Sequence, residues 1–173
     1  MARTASLLSA VVKAAKVRRI SSVRCAWSSG GRPTRPTSRF VCWAAMKDNL
    51  SFVLPLQAAL PLFPEPPPQQ EAGAPGPFAF ADDGRVRDIL VRAGYVDVEV
   101  VRHDTALVVA GGSLERAVEL SVTLGPLSRA LATAPVAIHA QVRAAVRDAL
   151  APHLTPAGVS LPASTWIATA SAP

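Results

Sequence analysis

Cysteine and aromatic side chains are scarce in this chain of 173 residues, and its first quarter holds no acidic residue at all. Cys25 and Cys42 are the only cysteines and form no CxxC pair. That excludes a disulfide framework or a cysteine-rich zinc module and points to a reducing compartment, with the cytoplasm as the simplest expectation. His103, His139 and His153 lie far apart, without cysteine or carboxylate at ligand spacing, so no metal site is expected. The longest apolar tract, Phe52 to Phe63, is interrupted by Pro55 and Pro61. It falls short of the ~20 residues that a bilayer core demands, so no membrane partner is expected. No GxGxG loop occurs; paired glycines stand only at Gly30-Gly31 and Gly111-Gly112. Nine aromatics among so many Ala, Val and Leu imply a core of small side chains, with helices close to a sheet.

Charge is unevenly placed. Residues 1–47 carry ten Lys/Arg and no Asp or Glu, while residues 48–173 carry eight Lys/Arg and twelve Asp/Glu. The net +6 therefore belongs to the N-terminal segment, and the remainder is mildly acidic. A body of that sign offers no basic face to phosphates, and no nucleic-acid partner is expected. Residues 4–19 allow a helix with Leu7, Leu8, Val11, Val12 and Ala15 on one side and Lys13, Lys16 and Arg19 off it. This acid-free pattern resembles a mitochondrial transit peptide, which would change the compartment. It also reads as a membrane-surface helix or a nucleic-acid arm, although Trp27 is its only stacking aromatic. The reading preferred here is that residues 1–39 form a basic, irregular or disordered segment without selected structure.

From residue 40 onward the pattern is α/β. Phe40 to Ala45 is a short apolar run suited to a buried strand. Residues 49–60 suit a helix interrupted near Pro55, and 61–77 form a proline-rich loop. Asp82 and Asp83 can cap a helix whose Val86, Ile89, Leu90 and Ala93 share one face, with Asp88 and Arg92 spaced to pair on the other. Gly94 supplies the left-handed stop. A strand pattern follows from Tyr95 and continues through Thr105–Ala110. Ser113 can cap a further helix, bent or broken at Gly125-Pro126. Another helix is expected from about Val136 to Ala151, a turn over Thr155–Leu161, and a last strand over Trp166–Ala170.

The ordered series resembles a known family. Phe40-Val41-Cys42-Trp43 with Lys47-Asp48-Asn49, then Gly76-Pro77-Phe78-Ala79-Phe80-Ala81-Asp82, Arg85-Val86-Arg87-Asp88-Ile89-Leu90, Ala93-Gly94-Tyr95, Leu124-Gly125-Pro126-Leu127 and Thr165-Trp166-Ile167 are similar to the C-terminal half of class I S-adenosylmethionine-dependent methyltransferases of the UbiE-like type. The resemblance implies a partial Rossmann-like sheet. Residues 40–45 would be strand five, 96–110 strand six and 165–170 strand seven, the last inserted antiparallel between the other two. It implies a small-molecule substrate, and S-adenosylmethionine as the parent family's cofactor. The glycine-rich loop and the acidic ribose ligand of that family cannot be placed here. Its first four strands would need roughly 100 residues before position 40, at about 30 per βαβ unit. The expectation is therefore a truncated enzyme, residues 40–173, that binds no cofactor alone and is inactive alone. Residues 1–39 would then derive from a shifted frame or a misplaced start. The family usually carries a Pro-Gly-Gly-Arg turn directly before strand five, whereas here seven residues separate Gly30-Gly31-Arg32 from Phe40.

In open α/β sheets ligands sit beyond the carboxyl ends of the strands. Trp43, Met46 and Asn49 are therefore the candidate pocket wall, and Phe78 and Phe80 a candidate lid, each weighed against simple packing. Glu65, Asp82 and Asp104 are bases without a partner. Catalytic residues stay unassigned. An inner strand stripped of its neighbour should expose backbone groups and favour self-association through that edge. Two other readings stand beside this one: a non-catalytic interaction module, and an organelle-targeted α/β protein of different activity.

Overall fold

The computed structural model describes residues 37–68, 71 and 73–172. The basic segment up to residue 36, with its transit-like pattern, Cys25, Trp27 and Gly30-Gly31-Arg32, lies outside the described residues. In chain order the elements are β1 (Thr37–Trp43), α1 (Leu50–Ala59), α2 (Asp83–Arg92), β2 (Val96–Val109), α3 (Leu114–Thr123), α4 (Pro126–Leu131), α5 (His139–Leu150), β3 (Leu154–Thr155) and β4 (Gly158–Ser171). Short 3-10 turns precede or follow α1 and α5.

The sheet is antiparallel throughout, in the order β1-β4-β2, with β3 pairing the start of β4. The last strand is thus the middle one, and β1 and β2, both antiparallel to it, run in the same direction. Period-two alternation assigns the two faces. Val159, Leu161, Leu107 and Val109 point to one face and pack, at the β2-terminal end, under α1, α3, α4 and α5. Ala168, Ala170, Val100 and Cys42 point to the other face, where α2 lays Val86 and Leu90 on them. The two cores therefore lie on opposite faces and at opposite ends of the long strands.

Local chemistry explains most boundaries. Asp82 Oδ1 accepts from Gly84 N at 2.9 Å and Arg85 N at 3.4 Å, which starts α2. Gly94, at φ +88°, ends it, and Ser113 Oγ caps α3 through Arg116 N. The amphipathic spacing is only partly used: Val86 and Leu90 are buried, whereas Ile89 and Ala93 face solvent. Asp88 and Arg92 are not among the ion pairs. α2 uses Arg87 instead, which donates to the Val98 carbonyl at 2.6 Å. An exposed pair of this kind contributes little, so its absence costs the helix little.

Four expectations change. β1 begins at Thr37, inside the segment expected to be irregular, because residues 37–39 find partners at Ser171, Ala170 and Thr169. It also ends two residues early: Ala45 leaves the sheet for the turn at Met46–Asp48. α1 runs through Pro55 without interruption, since that ring is fully buried and packing outweighs the lost backbone bond. β4 begins at Gly158, where a tight hairpin replaces the expected turn over Thr155–Leu161. There Thr155 Oγ1 donates to the Gly158 carbonyl at 2.7 Å and accepts from Ala157 N at 3.3 Å.

One side chain completes the sheet. The even-numbered residues of β4 turn their backbone groups toward β1, as shown by Ser164, whose carbonyl accepts from Ala44 N at 3.0 Å. Beyond Ala44 the first strand has turned away. Pro162, two residues further, lacks a donor where no acceptor strand remains, so proline is tolerated inside the central strand. The Ser164 N–H would be orphaned, and Asn49 Oδ1 takes it at 2.9 Å. The Asn49 amide donates in turn to the carbonyls of Ala45 at 3.0 Å and Ala44 at 3.4 Å. This fully buried asparagine thus replaces the missing strand and pins the start of α1 to the sheet.

Replacing Asn49 by Ala should destabilise the fold by about 1–3 kcal/mol, the cost of leaving a buried N–H without an acceptor. Asn49→Asp should also destabilise at neutral pH, because a carboxylate cannot donate to Ala44 and Ala45. Urea unfolding followed by circular dichroism measures both; an unchanged midpoint would contradict the bracket.

Candidate functional site

A cavity of about 330 Å³ lies past the carboxyl end of β1, on the sheet face that carries Trp43, Leu107 and Val109. Trp43 contributes from β1, Leu107 and Val109 from β2, Ser51, Phe52 and Pro55 from α1. The far wall is Leu120, Leu124 and the Gly125-Pro126 turn between α3 and α4. Gly125 is required there. Its φ is +85°, and a Cβ would stand 2.9 Å from the Phe52 ring. The helix break expected at this dipeptide is therefore also a close approach that shapes the cavity wall.

Aromatic contacts define the rim. Trp43 meets Phe52 edge to face at 5.2 Å between centroids, and Phe52 meets Phe78 in the same way at 5.2 Å. Such T-shaped pairs fix ring orientation as well as burying area. The lining holds no charged side chain and only two hydroxyls. Ser121 Oγ donates to the Ala117 carbonyl at 2.9 Å. Ser51 Oγ is buried and has no partner. An unpaired hydroxyl in an apolar wall carries an uncompensated desolvation cost that a ligand's polar atom would relieve.

A second cavity, of about 320 Å³, lies under the loop before α2, between Met46, Phe78, Glu71, Asp82 and Arg85. Trp166 Nε1 donates to the Ala81 carbonyl at 2.8 Å and Cys42 Sγ contacts the Phe80 carbonyl at 3.8 Å, which fastens this loop to the sheet. The proposed pocket residues thus separate. Trp43 lines the first cavity; Met46 and Phe78 line the second, with Phe78 also reaching Phe52. Asn49 lines neither and is spent on backbone. Phe80 lines neither; its ring is half exposed over a pinned backbone, so it does not close the first cavity. Phe52, Leu107, Leu124 and Ser51 were not singled out from sequence. Each looks like an ordinary helix or strand residue until the strands place it.

The donor set of the first cavity does not fit S-adenosylmethionine, whose ribose, amino-carboxylate and sulfonium groups need polar or charged partners. In the second, the Asp82 carboxylate is already the α2 cap, and no glycine-rich strand-to-helix turn supplies backbone donors. Among the described residues no group of three or more His, Cys, Asp or Glu could hold a metal ion, and no helix is long and apolar enough to cross a membrane. Neither a protein-family model nor a curated protein matches the chain.

Asp104 and Asp48 both pair with Arg102, at 3.0 and 3.2 Å, away from the cavity. Glu65 lines neither cavity. Cys42, half-buried between sheet and loop, has its thiol pushed up by desolvation. At neutral pH it is therefore held as the unreactive thiol. In a Cys25→Ser background, alkylation of Cys42 by iodoacetamide at pH 8 should be slower than that of free cysteine. A faster rate would contradict its placement.

Proposed function

We propose that residues 37–172 are the substrate-side portion of a fold of the class I S-adenosylmethionine-dependent methyltransferase type, and that the first cavity binds a small, largely apolar molecule carrying one hydrogen-bonding group. One observation carries the reading: β1 and β2 run in one direction with the antiparallel last strand between them, and the cavity lies past the carboxyl end of β1, against the closing residues of β2. That order is the one the resemblance implies for strands five, seven and six, and that position is where open α/β sheets hold ligands. The volume is at the small end of ligand pockets, about 300–1,000 Å³, which favours a single ring or a short branched chain. Trp43 and Phe52 would give such a molecule two ring surfaces, and Ser51 would hydrogen-bond its one polar atom.

The chain alone transfers no methyl group, because the residues that would grip a methyl donor are not among those lining either cavity. When a donor is supplied from elsewhere, the role left to this portion is orientation of the acceptor. Holding the reacting atom within about 3–3.5 Å of its target is a large part of catalysis in such a step.

Ligand-observed NMR with a panel of small phenols and branched alcohols tests the reading. At least one should bind, and Leu124→Trp, which fills the cavity from a part-exposed position, should abolish binding while leaving the circular dichroism unchanged. Failure of the whole panel, or binding that survives Leu124→Trp, would overturn the site. Calorimetric titration with S-adenosylmethionine should give no heat; tight binding would overturn the claim that the donor grip is lacking.

A further inference from the structure

The two borders of the sheet differ. β2 forms one edge with Asp97, Glu99, Arg102, His103 and Asp104 along it, and a bulge between Val96 and Glu99 where Asp97 takes φ +53°. Charges and bulges are the devices that protect an edge strand from pairing. β1 forms the other edge with one charge and no bulge. Among the described residues it pairs only with β4, its register is unbroken over all seven residues, and Arg39 is its single charge.

At Arg39 and Val41 the face of β1 turned away from α2 is bare as well. Val41, Ile167 and Val101 are directly opposed across the three strands and form one apolar row. Val41 is 64% exposed and Val101 48%. The helical layer on this face covers the far end, over Val159 and Leu161, and reaches back only as far as Trp43, which meets Phe52.

We propose that β1 is a self-pairing edge, and that a second copy of this chain adds its own β1 antiparallel to it about a two-fold axis at Val41. The side chains of β1 select that register. Centring on Val41 sets Val41 against Val41 of the second copy, so the row becomes Val101-Ile167-Val41 continued by its mirror, six apolar residues across six strands. Arg39 then stands opposite Trp43 of the second copy, a cation over an aromatic ring, and Phe40 opposite Cys42. No like charges face each other. The contact is isologous and closes at two copies. The contact spans only the short β1, so main-chain bonds supply much of the attraction and the dimer is concentration-dependent.

Sedimentation velocity of the full chain should show a monomer–dimer equilibrium at sub-millimolar concentration. Val41→Lys, which places two like charges opposite one another at an exposed position, should give monomer of unchanged circular dichroism. Val101→Lys, on the same face but off the axis, should keep the dimer. In a Cys25→Ser, Cys42→Ser background, Val41→Cys should oxidise to a covalent dimer, since paired Cα atoms across strands lie within the roughly 4.4–6.8 Å that a disulfide spans. A full-length protein that stays monomeric, a dimer indifferent to Val41→Lys, or open-ended oligomers would each overturn the proposal. So would loss of the dimer in Val101→Lys, which would move the contact to the open face.

Discussion

β4 is the member on which every other part of this structure depends. It is the last element of the chain, yet it lies between β1 and β2 and bonds to both. Neither neighbour touches the other, so without residues 158–171 there is no sheet, and neither helical layer has a floor. Assembly must wait for the end of the chain, and its key contacts join residues more than a hundred positions apart, such as Phe40 and Ala168. Long-range pairings of this kind carry a large loop-closure cost before they return any stability.

The same arrangement fixes where the cavity forms. Because β4 is antiparallel to both neighbours, β1 and β2 share a direction, but β1 stops opposite Thr165 while β2 runs on to Val109, opposite Val159. α1 leaves from the end of β1, and the Gly111-Gly112 turn leads from β2 into α3. The two helices diverge around the gap, and the Gly125-Pro126 break lets α4 close its far side. The aromatic trio, the Ser51 hydroxyl and the aliphatic wall meet there as a consequence of topology. Asn49 marks the point where β1 ends too soon for β4, and one amide makes good the shortfall in backbone pairing.

Much of the fold was legible in the residues themselves. The capping Asp82, the stop at Gly94, the cap at Ser113 and the break at Gly125-Pro126 each announce a boundary by chemistry confined to a few neighbours. The β-rich run after Tyr95 marked β2 to within a residue. What depends on distant partners was less legible. Thr37, Ser38 and Arg39 look irregular because their reason to be extended lies at Ser171, Ala170 and Thr169. Pro162 inside β4 reads as a strand breaker until β1 is seen to have ended beside it. Asn49 reads as a pocket residue because a polar side chain at a strand end has little packing value; its value is a hydrogen bond to Ser164, 115 positions away. Trp43 was found by its position at a strand terminus, whereas Phe52, Leu124 and Ser51 join the site only through the meeting of α1 with the α3–α4 turn.

Residue-resolved hydrogen–deuterium exchange tests the central position of β4 most directly. A strand paired on both sides has every amide bonded, whereas an edge strand bonds only alternate ones. The structure predicts unbroken slow exchange from Ala163 to Thr169 and alternating fast and slow exchange along Val100–Val108. Alternation within Ala163–Thr169 would place that strand at a border and contradict the fold on which the proposed site and the proposed dimer both rest.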